Sequence, residues 1–379
     1  MTEKIFTRNF VLVFFAQFAF TCAFYILVPT LPIYLSRLES TETEIGVLIG
    51  IFFFSSLISK PFIGKALTRT PERSFMMAGT IVFSFTTIAY LLVSPFWTFL
   101  IVRIVQGIGY AFFLTASYTL AANISPEKHR GQSLTYFYMA FNLSGALGPS
   151  LGMLVINYFS FTHLFLICVG LSLCSLFITC KLERREAAPL QDSSVGDGFF
   201  VNRKALPPSI IYSFSFFIWG ALAAFFPLYA INHGVANPGL FFTTTAIMVI
   251  LGRALGGKIL DLYSRERIIL PCLFAYIASM VILAFSKTLP MFILVAMIWG
   301  AGQAFLMPSL AVYALDRAGT SPGPVMATLS TFADVGISLG PVIMGLVIRT
   351  ASYPIMFLCL ALTGIANLNY FYFLVRKKG

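Results

Sequence analysis

The chain has 379 residues, of which 58% are hydrophobic and 10% are charged, and its mean hydropathy is +0.88. A composition this apolar excludes a soluble globular protein of this length and indicates an integral membrane protein. The formal charge of +11 does not indicate nucleic-acid binding, because the cations lie in loops and tails without a basic patch that carries interleaved aromatic residues.

Apolar runs of about 20 residues recur along the whole chain, and each could cross a hydrocarbon core of ~30 Å as a helix. None shows the alternating pattern of a membrane barrel strand. We therefore predict an all-α membrane protein of twelve transmembrane helices. In chain order they cover residues 10–35, 43–68, 74–94, 96–122, 131–157, 161–181, 207–231, 237–260, 267–286, 289–315, 324–349 and 353–375.

The distribution of Lys and Arg gives the orientation. These residues concentrate in the two tails and in the loops after even-numbered helices, which leaves Arg37, Lys287 and Arg349 on the other side. By the positive-inside rule, both termini are expected in the cytoplasm, with the excess cations near anionic lipid. The first apolar run is too long for a cleavable signal and lacks a small-residue cleavage pattern, so it is expected to remain as the first helix.

The fourth predicted helix contains a cation, Arg103, in the run FLIVRIVQGIG. An Arg at a helix centre costs roughly 2.5 to 3.5 kcal/mol, so it usually faces a protein interior or a wet cavity. Gln106, Gly107 and Gly109 follow on the next turn, which predicts the inner wall of a transport path. The alternative is an Arg that reaches the headgroups, because it lies about seven residues from the start of the run.

Helix five contains SGALGPSLG, where Gly148, Pro149 and Gly152 predict a kinked face that a partner helix can approach closely. The only long polar segment, residues 182–206, is interpreted as a cytoplasmic linker. It separates two predicted six-helix bundles, residues 1–181 and 207–379.

The second bundle repeats the first. Lys60, Gly64 and Lys65 recur as Arg253, Gly257 and Lys258, and Gly107, Gly109, Ala111 and Phe112 recur as Gly300, Gly302, Ala304 and Phe305, each offset by 193 positions. The pair Gly148 and Pro149 recurs nearby as Gly340 and Pro341. A constant offset across Gly and basic positions predicts two pseudo-symmetric halves. Two positions break the symmetry, since Arg103 corresponds to Ala296 and Asn142, with one residue of slippage, to Asp334.

These motifs resemble the major facilitator superfamily, within it the twelve-helix drug and metabolite proton antiporter group. FLIVRIVQGIG looks like its fourth-helix motif, GALGPSLG like its fifth-helix antiporter motif, and GKALTRTPER like the loop motif after helix two, with Thr68 where the family usually has Asp. The resemblance implies a monomeric carrier with alternating access, powered by a proton gradient and without other cofactors. It also implies a cytoplasmic gate, for which we predict Lys60, Gly64, Arg69, Arg73, Arg253, Gly257, Asp261 and Arg265.

Asp334 is the clearest candidate for proton or cation coupling. Thirteen of the fourteen acidic residues fall in loops, tails or helix ends, whereas Asp334 lies at mid-membrane depth. A carboxylate is costly to keep charged in a low dielectric, so such a group can take up and release protons. The alternative is a structural Asp that is bonded to helix ten or to Ser330 and Thr331. Arg103 could neutralise Asp334 in one conformation and release it in another.

A further set of residues is expected on helices that line the central cavity in the family. The candidates are Gln17, Tyr25, Gln106, Tyr110, Phe113, Asn142, Trp219, Trp299, Gln303 and Phe305. A mostly aromatic pocket suits an amphipathic organic solute, and cation-π contact leaves a cationic solute possible. For each residue the alternative is core packing or a lipid-facing position.

The sequence thus predicts a transporter of the bacterial inner membrane that moves a small organic solute outward in exchange for protons. A proton-coupled importer and a lipid or lysolipid flippase of the same fold are the alternatives. An enzyme or sensor is disfavoured, because His129, His163 and His233 are scattered in loops. The six cysteines show no metal-ligand spacing and are interpreted as packing residues.

Overall fold

The computed structural model describes residues 6–92, 96–126, 129–183, 202–318 and 322–375, with side chains except at 131, 257–261, 322, 323 and 374. In these residues it contains twelve α-helices and no strand. The helices are α1 Arg8–Arg37, α2 Glu42–Ala66, α3 Glu72–Ala89, α4 Phe96–Ile124, α5 Arg130–Tyr158, α6 Phe161–Cys180, α7 Leu206–Asn232, α8 Gly239–Leu262, α9 Arg265–Phe285, α10 Leu289–Ala318, α11 Pro322–Thr350 and α12 Tyr353–Tyr370. The all-α prediction is confirmed.

The observed bounds differ from the predicted ones mainly at α3 and α12. Helix α3 ends at Ala89 rather than at 94, and residues 93–95 lie outside the described part of the chain. Helix α12 ends at Tyr370 and continues as one π turn, Phe371–Val375. Eleven of the described helices are long and apolar enough to cross a membrane. Helix α3 is not among them, because its 18 residues begin with the charged pair Glu72 and Arg73.

Contacts between residues divide the chain into two compact units. Unit 1 comprises residues 1–30 and 51–195, and unit 2 comprises residues 31–50 and 196–379. The units follow the two halves of the repeat except at residues 31–50, which group with unit 2. The division into bundles at 1–181 and 207–379 stays a prediction about the repeat.

In unit 1, two glycines of α4 set the distances to neighbouring helices. A Cβ atom at Gly107 would lie on the Phe52 carbonyl oxygen and the Ser55 hydroxyl of α2. A Cβ at Gly79 of α3 would lie 2.5 Å from the Gly109 carbonyl oxygen of α4. Such close backbone contact is the usual way for membrane helices to gain packing energy, because lipid gives them no hydrophobic drive to associate.

Unit 2 repeats this arrangement. Gly300 of α10 lies against Thr245 and Met248 of α8, and Gly302 lies against Cys272 and Ala275 of α9. The four α8 and α9 residues are offset by 193 positions from Phe52, Ser55, Gly79 and Val82, which contact the equivalent α4 glycines. The repeat read from the sequence therefore extends to residue-level contacts inside each unit.

Helix α11 is packed through small residues on two faces. On one, Gly336 and Gly340 lie against the Ser213 and Phe217 carbonyl oxygens of α7. On the other face, α11 packs against the start of α2, and we call this contact region the α2–α11 seam. There Gly50 lies on the Ser338 carbonyl oxygen, Gly46 on that of Pro341, and a Cβ at Gly345 would lie 2.5 Å from the Glu42 carbonyl oxygen.

Candidate functional site

Arg103 lies inside unit 1 and is only 4% exposed. Its Nη1 donates hydrogen bonds to Oε1 of Gln106 at 2.8 Å and to the hydroxyl oxygen of Tyr90 at 3.2 Å. The Tyr90 hydroxyl donates to the same Gln106 oxygen, and Gln106 Nε2 donates to the Thr87 hydroxyl at 3.3 Å. The four side chains form a hydrogen-bonded group, here called the Arg103 network, that joins α4 to the end of α3.

Aromatic rings surround the Arg103 network. The guanidinium carbon of Arg103 lies 4.4 Å from the centroid of the Phe52 ring, a cation-π distance. The Tyr90 ring stacks on Phe99 with centroids 4.8 Å apart and an interplanar angle of 3°. The interpretation of Arg103 as an interior cation is supported by this geometry, because a side chain that reached the headgroups would leave the ring contacts and the buried oxygen partners.

A second polar group lies on α1, α4 and α5. Gln17 is fully buried, and its Oε1 accepts a hydrogen bond of 2.8 Å from the Ser117 hydroxyl. The hydroxyls of Thr21 and Ser144 share a hydrogen bond of 2.8 Å. Gln17 Nε2 has no partner in the described residues, so this group keeps one unused buried donor. An unpartnered buried donor costs about 1 to 3 kcal/mol, so one polar atom of water or solute would be stabilised there.

Asp334 occupies the middle of α11 and is half-buried. Its carbonyl oxygen accepts a hydrogen bond from the Ser338 hydroxyl at 2.5 Å. Asp334, Ser338, Pro341 and Gly345 follow one another at spacings of four, three and four residues, which places them on one helix face. The last three lie in the α2–α11 seam, so Asp334 lies one turn beyond the end of the seam, toward the start of α11.

Five of the predicted cavity residues are buried in the packing of their own unit. They are Gln17, Gln106, Tyr110, Phe113 and Trp299. Phe113 stacks on Phe20 with centroids 3.9 Å apart, and the Trp299 ring lies 3.8 Å from that of Tyr276. These contacts are those of core packing, and solute contact by these five residues stays a prediction.

The other five predicted cavity residues are half-buried. They are Tyr25, Asn142, Trp219, Gln303 and Phe305. Tyr25 lies against the glycines of α5, where a Cβ at Gly148 would be 2.7 Å from the Tyr25 Cβ. A Cβ at Gly152 would be 2.7 Å from the Ile26 carbonyl oxygen. The sequence GALGPSLG thus packs closely on α1, while its role as a hinge, and that of Pro149, stays a prediction.

The family model of the Major Facilitator Superfamily matches residues 13–321 and 208–379 of the chain. The chain belongs to the major facilitator superfamily. It is 23% identical to the staphylopine export protein of Staphylococcus aureus, over 85% of this chain and 84% of the relative. It is 22% identical to the multidrug resistance protein MdtG of Serratia proteamaculans, over 98% of this chain and 94% of the relative. This superfamily member is therefore a multi-pass membrane transporter and not an enzyme.

Solved structures of other superfamily members share the fold. The nucleoside transporter NupG superposes with a TM-score of 0.78 at 14% identity, covering 97% of this chain and 100% of the other. A POT family transporter in complex with a thioalcohol-conjugated peptide superposes with a TM-score of 0.79 at 13% identity, covering 98% and 96%. At this identity the superpositions support the fold alone.

The loop motif after helix two of this transporter makes contacts within unit 1. Arg73 Nη2 donates a 2.6 Å hydrogen bond to the carbonyl oxygen of Cys180 at the end of α6. The Thr68 hydroxyl, at the position where the family usually has Asp, donates to the Lys65 carbonyl oxygen at 2.8 Å. Arg69 is exposed, and no atom lies within 4 Å of a Cβ built on Gly64.

The remaining gate candidates lie on α2, α8 and α9, with Arg253 nine residues before the end of α8 rather than at its end. Lys60, Arg253 and Arg265 are half-buried. Gly257 and Asp261 belong to α8, but the side chains at 257–261 lie outside the described part of the structure. The gate role of all eight candidates stays a prediction. No group of three or more His, Cys, Asp or Glu side chains that could hold a metal ion is found in the described residues.

Sequence reasoning did not identify Tyr90 as a partner of Arg103, or Thr87 as a partner of Gln106, in the Arg103 network. They lie on α3 and its C-terminal cap, 13 and 16 residues before Arg103. A contact across that many residues has no local sequence pattern, because it depends on how α3 and α4 pack against each other. The equivalent positions in unit 2, Leu283 and Met280, are apolar. This difference between the two halves was the one signal in the sequence that Tyr90 and Thr87 have polar partners.

Proposed function

We propose that this transporter exports a small amphipathic organic solute in exchange for protons, from the cytoplasm of a bacterial cell across its inner membrane. Relatives that cover most of both chains include the staphylopine export protein and multidrug resistance proteins, which supports the outward direction. The observation that carries the coupling is the position of Asp334 on α11.

Asp334 combines two properties that a coupling carboxyl group needs. It lies in the middle of a membrane-spanning helix, where carrying one charge across the membrane exchanges ~2.3 kcal/mol per 100 mV. It also lies one turn from the last backbone contact of the α2–α11 seam, between Gly50 and Ser338. A carboxylate loses hydration when helices close beside it, so protonation of Asp334 would favour a closed seam and ionisation an open one.

The solute class follows from the half-buried residues. Tyr25 and Trp219 offer aromatic surface, whereas Asn142 and Gln303 offer few hydrogen-bonding groups. Trp219 already makes an edge contact with Phe242, with centroids 5.7 Å apart. Aromatic surface with few polar groups favours an organic solute that is largely apolar, and a cationic solute gains cation-π energy of about 0.5 to 2 kcal/mol per contact.

The experiment is proton movement on solute addition, measured with the purified transporter in proteoliposomes that contain a pH dye. The panel comprises cationic dyes, zwitterionic metabolites and lysolipids. Coupled export predicts a proton signal for one solute class and none in protein-free liposomes. Solute flux without proton movement would reject the coupling, and movement of a fluorescent lipid alone would make the protein a flippase.

The first variant is Asp334→Asn, which mimics the protonated side chain and cannot ionise. We expect loss of pH-driven accumulation, while exchange of labelled solute down its gradient continues. Asp316→Asn is the matched control, because Asp316 is exposed near the end of α10. Full pH-driven accumulation by Asp334→Asn would overturn the coupling role of this residue.

A pairing of Arg103 with Asp334 in one conformation belongs to the same proposal and has a separate test. Arg103→Asp and Asp334→Arg are each expected to lose accumulation, and the double variant is expected to regain part of it. A double variant as inactive as either single variant would reject the pairing, and would leave the role of Asp334 to the Asn variant.

A further inference from the structure

A groove of about 500 Å³ lies between α9 and α10 in unit 2. Its volume is within the ~300 to 1,000 Å³ that ligand sites usually have. The walls are small or apolar: Pro271 and Ala275 belong to α9, and Ala301, Gly302 and Phe305 to α10. Gly302 forms the floor, since a Cβ there would lie only 3.2 Å from the Ala275 Cβ and from the Tyr276 ring.

The groove opens on a side of unit 2 that carries exposed apolar side chains. On α10, Leu294 and Met297 are 51% and 43% exposed, and Ala301 and Phe305 continue the same face at helical spacing. On α9, Pro271 and Phe274 are exposed. In a membrane-spanning segment, exposed apolar faces of this kind contact lipid chains, so the occupant that reaches the groove directly is a lipid.

One end of the groove is polar and cationic. Tyr263 and Arg267 line it there, and both side chains are exposed. Among the described residues that line the groove, Arg267 is the cation, and the neighbouring Arg265 and Glu266 are half-buried. From Arg267 to Ala275 the α9 wall runs for eight residues, about 12 Å at ~1.5 Å per residue. The groove thus has a cation at the depth of the lipid headgroups and an apolar channel that runs along α9, in the direction of a lipid acyl chain.

We propose that this groove binds one anionic glycerophospholipid of the surrounding bilayer, with an acyl chain between α9 and α10 and the phosphate near Arg267 and Tyr263. Charge decides between lipid classes. A cation near the surface attracts a headgroup of net negative charge more strongly than a zwitterionic one, whereas the apolar walls accept the acyl chain of either. The site is separate from the proposed coupling residue on α11 and does not depend on the direction of transport.

The experiment uses the full chain in liposomes that contain phosphatidylglycerol or phosphatidylcholine with a photoreactive acyl chain, followed by peptide mass spectrometry. We expect the phosphatidylglycerol probe to label peptides that contain residues 268–275 or 301–305. Arg267→Gln is expected to lower labelling by phosphatidylglycerol about fivefold and to leave phosphatidylcholine unchanged. Arg8→Gln is the control, because Arg8 is likewise exposed at the start of its helix.

A second variant tests the acyl channel. Ala301→Phe fills the groove and is expected to remove most of the labelling, while Met297→Phe, one turn away on the same exposed face, leaves it unchanged. Equal labelling in these two variants, or label that is absent from α9 and α10, would overturn the site. Competition by the transported solute but not by unlabelled phosphatidylglycerol would also overturn it, because the occupant would then be the solute.

Discussion

Arg103 is held by neutral partners in a part of the membrane where a cation is costly. The Gln106 oxygen accepts from both Arg103 and Tyr90, and the guanidinium lies over the Phe52 ring. Each contact compensates some of the lost hydration, and together they fix the direction of the side chain. The position in unit 2 that corresponds to Arg103 is Ala296, and the one that corresponds to Gln106 is Trp299. The second unit therefore has no cation to bury at this place.

Tyr90→Phe tests this network at the level of one hydroxyl group. The change removes a donor to Gln106 and an acceptor for Arg103 while keeping the ring stacked on Phe99. Because all three groups are buried, we expect a loss of about 1 to 3 kcal/mol of stability, measured by thermal unfolding in detergent.

Tyr136→Phe is the matched control, because the Tyr136 hydroxyl accepts only an exposed hydrogen bond of 3.1 Å from Gln132 among the described contacts. Loss of an exposed hydrogen bond of this kind usually changes stability by less than about 0.5 kcal/mol. An equal effect of the two changes would show that the Arg103 network contributes nothing beyond ordinary packing.

At the scale of helices, glycines decide which elements approach each other. Gly107 and Gly109 lie two residues apart on α4 and meet different neighbours, α2 and α3. Their repeats Gly300 and Gly302 meet α8 and α9. The family motif in α4 therefore combines a buried cation with two helix contacts, and a side chain at either glycine would separate the helices that surround Arg103.

Gly107→Ala and Gly170→Ala make the same change at two helix positions with opposite expectations. A Cβ at Gly107 would overlap backbone and side-chain atoms of α2, whereas no atom lies within 4 Å of a Cβ at Gly170. We expect Gly107→Ala to destabilise the protein by about 1 to 3 kcal/mol. Gly170→Ala is expected to stabilise it by about 0.5 to 1 kcal/mol through helix propensity.

Chemical or thermal unfolding of both variants in one detergent measures the difference. A stabilising effect of Gly107→Ala would mean that α2 and α4 are farther apart than the Gly107 contacts require. A loss at Gly170 would instead indicate a neighbour that α6 meets outside the described contacts.

At the scale of the whole molecule, the orientation in the membrane remains a prediction from the positive-inside rule. It is checked with a membrane-impermeant maleimide on intact cells, using a variant whose six cysteines are replaced by alanine. Lys287→Cys, in the α9–α10 loop, is expected to react from outside, and Arg69→Cys, in the α2–α3 loop, only after permeabilisation. Both positions are exposed, so access decides the result, and the reverse pattern would place the termini outside.

The sequence by itself determined the number of helices, most of their bounds and the repeat. The reason is that a lipid-exposed helix must satisfy its own backbone hydrogen bonds, so run length alone identifies it. It also indicated that Arg103 lies in the interior, because the cost of a cation in lipid applies whatever its neighbours are. The predicted end of α3 was too late. The helix ends at Ala89 with Tyr90 as its C-terminal cap, but the apolar sequence continues through Leu91 and Leu92.

Only the tertiary structure decided which side chains meet. In a soluble protein an apolar stripe marks the buried face of a helix, but here the lipid-facing side is apolar too, so the stripe carries no such information. For this reason Phe113 and Trp299 could not be assigned to packing from their spacing, and the partnership of Tyr90 with Arg103 could not be foreseen. The groove between α9 and α10 is likewise a product of packing, because it exists where Ala275, Ala301 and Gly302 lie side by side.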